Sequence, residues 1–162
     1  MIKENLANLK KEYVKVRNKY KLPEFNMLNN EFEIEKLADK KTGFLLRGIR
    51  RSIERRTENF LKMLEEFVNP TYASHASLTL LKSFTNKDRK NIEDSYKSLV
   101  SLMLKAITLE IDFDEKKEAA FIKESVKIWD VTKKDLHELM KSAEHIWKKK
   151  IEDEKIDFKY FG

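Results

Sequence analysis

Apolar residues recur at alternating spacings of three and four along most of this chain, the period of an α-helix with one buried face. Residues 2–21 carry Ile2, Leu6, Leu9, Tyr13, Val16 and Tyr20 in that phase. In 44–68, Leu46, Ile49, Ile53, Phe60, Leu64 and Phe67 share one face, with Thr57 in the single gap. A third long helix starts near Thr85 and runs through Ile92, Tyr96, Leu99, Met103 and Ile107. A fourth reaches from Glu115 to about Glu154, with Ile122, Val126, Trp129, Leu136, Met140, Ala143 and Trp147 on one seam that only Lys133 breaks. Shorter helical turns are predicted around Phe25, Leu28, Phe32 and Ile34, and around Leu78, Leu80 and Leu81, where small residues predict close packing. The pattern predicts an all-α fold: a single-domain helical bundle over 1–162, with four long helices, short connecting ones, a long last helix and a short aromatic tail at 155–162.

Stop and start signals agree with these limits. Leu22-Pro23 and Asn69-Pro70 end helices, because the residue before proline is driven out of the α region. Thr42 is a candidate cap for the helix after it, and Asp112-Phe113-Asp114 closes one helix and caps the next. Thr85 with Asp88, and Thr132 with Asp135, have the spacing of capping boxes. The second pair falls inside the fourth helix, yet the apolar phase survives past it, so one continuous or gently bent helix is expected. At 1.5 Å per residue that helix is roughly 60 Å long, against a diameter of about 40 Å for a compact domain of this size. Its end, Ala143 to Ile151, is therefore expected to leave Ile146, Trp147 and Ile151 uncovered and to take part in self-association.

Three glycines and two prolines in 162 residues reinforce the helical reading. Cysteine is absent, which excludes disulfides, thiolate zinc sites and a cysteine nucleophile. No apolar run has the form of a signal peptide or the roughly 20 residues of a membrane span, so a cytoplasmic protein with no membrane partner is expected. No Glu-x-x-His pair, glycine-rich phosphate loop or G-x-S-x-G elbow occurs, and His137 and His145 lie on one solvated face with Lys141 between them. The chain is accordingly read as no enzyme, with no metal, cofactor or small-molecule substrate.

The net charge is +6, and it is unevenly placed. Residues 1–21 hold seven basic side chains against two acidic ones, and 39–56 again hold seven against two. Five of the seven arginines lie in 44–68, whereas positive charge elsewhere is carried mostly by lysine. Arg47, Arg51 and Arg55, four apart, form a ridge opposite the apolar stripe, where Glu54 and Glu58 offer partners three residues beyond Arg51 and Arg55. Arg50 and Arg56 fall at the stripe's borders, where arginine lays its methylenes on apolar neighbours and forks onto a carboxylate of another helix. Gly48, in mid-helix on the ridge side, removes a side chain beside the arginines and would let a backbone or a phosphate approach.

The stretch KLPEFNMLNNEFEIEKL followed by FLLRGIRRSIERRTENFLKMLEEFVNP resembles a small all-helical family of uncharacterised archaeal proteins that pair a K-L-P-x-F-x-x-L opening with an arginine-rich helix. The resemblance covers the first half of the chain, implies an archaeal source and attaches no activity. Two functions remain open at this level. The first is a non-catalytic helical interaction or scaffold protein that acts through its helix faces and self-associates, with Ile146, Trp147, Ile151 and the tail residues Phe158, Tyr160 and Phe161 as its binding residues. The second is a basic nucleic-acid-binding protein that uses helix 44–68, with Arg47, Arg51, Arg55 and Gly48 against phosphates.

Overall fold

The structure, a computed structural model, describes residues 2–39 and 44–160. It is all-α, with no strand among the described residues. Helix α1 spans Ile2–Tyr20, α2 Phe25–Phe32, α3 Leu45–Val68, α4 His75–Ser83, α5 Asn86–Ile111 and α6 Glu115–Tyr160. Single 3-10 turns lie at Ile34–Leu37 and Pro70–Tyr72. The candidate cap Thr42 lies outside the described residues.

Each boundary has a local cause. At the end of α1, Lys21 takes a left-handed conformation (φ 56°) and the Leu22 amide donates back to the Arg17 carbonyl at 3.2 Å. This closure usually uses glycine, and a side chain there costs on the order of 1 kcal/mol. Burial of Leu22 and a 2.6 Å hydrogen bond from the Tyr13 hydroxyl to the Pro23 carbonyl hold it in place. Glu33 ends α2 in the same way (φ 54°), and the Asn29 side chain accepts from the Glu35 amide at 2.8 Å. At α5 the expected capping box forms in both directions: Thr85 donates its amide to Asp88 Oδ2 at 2.9 Å, and the Asp88 amide donates to Thr85 Oγ1 at 3.1 Å. Asp114 Oδ1 accepts from the Lys117 amide at 2.8 Å and opens α6. Thr132 is buried and does not restart a helix, so α6 is continuous over 46 residues.

The chain gathers into two compact units, to both of which α3, α5 and α6 contribute. The first comprises Met1–Phe60 and Leu99–Trp129. Its core joins Leu9 and Tyr13 of α1, Leu28 and Phe32 of α2, Leu46, Ile49 and Ile53 of α3, Leu99, Leu102, Ala106 and Leu109 of α5, and Ile122, Val126 and Trp129 of α6. The Trp129 ring lies 6.0 Å from Phe32 and 5.3 Å from Phe60, and its indole nitrogen donates to Glu31 at 2.8 Å.

The second unit comprises Leu61–Ser98 and Asp130–Gly162. Leu61, Leu64, Phe67, Phe84, Ile92, Leu136, Leu139 and Ala143 are buried there, and Phe67 meets Phe84 edge-on at 5.3 Å. Ser142 donates to Asp88 Oδ1 at 2.9 Å, which ties α6 to the cap of α5. The close packing expected of α4 is not found: none of its residues is buried, and Glu66 holds its first turn by accepting from the Ser77 hydroxyl at 2.6 Å.

The buried face of α5 differs from the expected one. Ile92 and Leu99 are buried as expected, but Met103 and Ile107 are 40% and 50% exposed, and Leu102, Ala106 and Leu109 take the core positions. Nine of the thirteen residues from Leu99 to Ile111 are apolar, so this part of the helix has two apolar stripes and its periodicity does not say which is inside.

Candidate interaction surface

Packing divides the candidate arginines of α3. Arg50, at the border of the stripe, is wholly buried. Its Nε donates to both oxygens of Glu118 at 2.9 and 3.1 Å, Nη1 to Glu54 at 2.5 Å and to the Ala106 carbonyl at 3.3 Å, and Nη2 to Glu110 at 2.5 Å. One planar fork thus joins α3, α5 and α6, a task that suits guanidinium and not ammonium. Burial lowers the Arg50 pKa, but its hydrogen bonds to Glu110 and Glu118 and the charge of Glu54 outweigh that and raise it. Burial pushes Glu118 above the ordinary carboxyl range, against the hydrogen bonds and charge of Arg50. Glu110, held by Arg51 and Arg50, falls from 4.5 to about 2.

The ridge is exposed at Arg51 and Arg55 and departs from expectation at Arg47 and in the partner of Arg51. Arg51 donates to Glu110 at 2.5 Å, and Glu54, its expected partner, is taken by Arg50. Arg47 does not face open solvent: it is half-buried, with its guanidinium carbon 4.8 Å from the Phe113 ring centre and 5.4 Å from that of Phe44, and its Nε is buried without a hydrogen-bond partner. Arg55 is exposed as expected. Gly48 is buried, so the space left by its missing side chain is filled by this chain and is not open to a phosphate. The other border residue, Arg56, lies over Phe60 and Trp129 at 5.4 and 5.9 Å.

Beside this cluster a hollow of about 500 Å³ is lined by Val16, Phe44, Leu45, Leu46 and Phe113, with Glu12, Lys15 and Glu115 among them. Its apolar floor and mixed-sign charges single out no ligand chemistry.

Of the binding residues expected near the end of α6, Ile146 is half-buried, while Trp147 and Ile151 are each 39% exposed, and Lys150 Nζ lies 5.3 Å from the Trp147 ring. The backbone of α6 continues to Tyr160. The side chains of Phe158 and Tyr160, and all of Phe161, lie outside the described residues. His137 and His145 are exposed with Lys141, as their spacing predicts.

A contiguous apolar surface on α5 was missed by sequence reasoning. On α5, Leu104 is 56% exposed, Ile107 50% and Ile111 77%, with Val100 half-buried and Met103 beside them. Val100, Leu104, Ile107 and Ile111 are spaced four, three and four apart, the seam positions of a heptad. The flanks of this strip carry no unpaired charge. Ser101 and Thr108 border one side, and the Thr108 hydroxyl turns back to the Leu104 carbonyl at 3.0 Å. Met103 and Glu110 border the other, the latter neutralised by Arg50 and Arg51. The signal was present in the sequence as an excess of apolar residues over what one stripe requires.

Comparison of this chain with protein-family models, with curated proteins and with solved structures gave no match.

Proposed function

We propose that this protein is a non-catalytic helical interaction module whose working surface is the outer face of α5, docking on an aliphatic helix face of a partner polypeptide. The observation that carries this reading is the run of half-buried Val100 with exposed Leu104, Ile107 and Ile111, at heptad spacing on a helix whose opposite stripe already fills the core. Large apolar side chains scattered singly over a surface need no explanation, whereas a continuous strip marks a contact site. A helix lays such anchors into a partner at i, i+3, i+4 and i+7. The arginines fit the same reading: Arg50 and Arg51 lock α3 to Glu110, at the end of the strip, and so keep α5 in register.

The chain has no cysteine, so a thiol introduced by Met103→Cys reports on this face alone. In dilute protein it should react with a maleimide nearly as fast as a free thiol, whereas one introduced by Leu102→Cys should be strongly protected. Equal protection at both positions would mean that the strip is internal and would remove the proposed surface.

A further inference from the structure

Resting on that reading, the occupant of the α5 face can be named from its chemistry. We propose that it is the same face of a second copy of this chain, packed antiparallel about a two-fold axis that passes between Leu104 and Ile107.

The strip is self-complementary. An isologous contact needs one patch that matches itself. In an antiparallel pair centred between Leu104 and Ile107, Leu104 meets Ile107 of the second copy and Val100 meets Ile111, so every layer is aliphatic on both sides. Charge favours the same pairing. Seam helices that choose a different partner carry charges at the flanking positions, which set orientation and exclude self-pairing. Here those positions are Ser101, Thr108, Met103 and a Glu110 already neutralised within its own chain, so nothing repels an identical helix.

Orientation follows from what lies upstream. Continuing the heptad toward the start of α5 puts Lys97 and Glu93 at the next seam positions, bonded to each other at 2.5 Å. A parallel pair in register would set Lys97 on Lys97 and Glu93 on Glu93. An antiparallel pair avoids both, and it also opposes the helix dipoles.

Size sets the strength. From Val100 to Ile111 the strip is about 16 Å long, and one helix pair over that length buries less than the roughly 800 Å² per partner of a standard interface. The dimer is therefore reversible, and it forms as concentration rises.

Sedimentation velocity of the full chain from low to high micromolar concentration tests the proposal, with thiol labelling of the Met103→Cys variant on matched samples. The expected result is a shift from monomer to dimer with a several-fold slowing of labelling over the same range, both abolished by Leu104→Glu with Ile107→Glu at unchanged helicity. A wild-type chain that stays monomeric with a reactive thiol throughout overturns the second copy as occupant and leaves the interaction face for another helix. A monomer with a protected thiol overturns both. A dimer that survives the double Glu substitution places the contact elsewhere, as at Trp147 and Ile151, and also overturns it.

Discussion

Arg50 shows at the residue scale why this helix carries arginine. Three carboxylates, Glu54, Glu110 and Glu118, converge on one buried guanidinium, and Glu118 is itself fully buried. Removing the cation leaves Glu118 buried without its counter-charge, so Arg50→Met is expected to cost about 3–5 kcal/mol. Restoring an apolar pair with Glu118→Leu should recover much of that loss, and urea titration of the single and double variants measures both. Glu110 gives the pH dependence its sign. Its carboxyl is held down from 4.5 to about 2 in the folded chain, so its contribution to stability is present above pH 4.5 and is lost as the pH falls from there toward 2. Glu118 runs the other way, since a raised carboxyl pKa favours the folded chain when protonated. Half-exposed Glu110 makes a contribution that solvent weakens, so the effect of Glu110→Gln on the melting temperature should be modest above pH 5 and vanish near pH 2. An equal effect at both ends would contradict this linkage.

Among the elements, α5 decides how much was legible beforehand. Helices α1, α3 and α6 each have one apolar stripe, and the period alone located their buried faces: Leu9 and Tyr13, Ile49 and Ile53, Ile122 and Val126 are all inside. The border position of Arg50 was likewise readable from the wheel, as was the fork to another helix, although not which carboxylates it would reach. Those lie 60 and 68 residues away on helices whose rotation no local pattern fixes. On α5 the period alone puts Met103 and Ile107 in the core because both stripes satisfy it, and only packing against α3 and α6 breaks the tie. Gly48 shows a similar limit, since this end of the ridge, with Arg47 half-buried, is covered while Arg51 and Arg55 stay exposed. Truncation of neighbouring leucines measures the outcome directly. Leu102→Ala should destabilise by about 2–5 kcal/mol, whereas Leu104→Ala should stay within about 0.5 kcal/mol of the wild type, as expected for a surface position. Equal losses would restore the two-stripe ambiguity.

For the whole molecule, a cysteine-free chain of 162 residues folds as an all-α protein in two compact units, and among the described residues no helix is long and apolar enough to cross a membrane. What sets it apart is an aliphatic strip with neutral flanks on a helix that a buried ionic cluster holds in place. Pairing of that strip with its own copy makes a geometric demand that a cross-link can read, because in an antiparallel pair the position facing residue 104 is residue 107. The decisive measurement mixes chains carrying Leu104→Cys with chains carrying Ile107→Cys under mild oxidation and follows the disulfides formed. The mixed 104–107 disulfide should form faster than either homodisulfide and well above the random yield of a non-interacting control such as Lys127→Cys. Homodisulfides in excess, or yields no higher than the control, would contradict an antiparallel dimer on the outer face of α5.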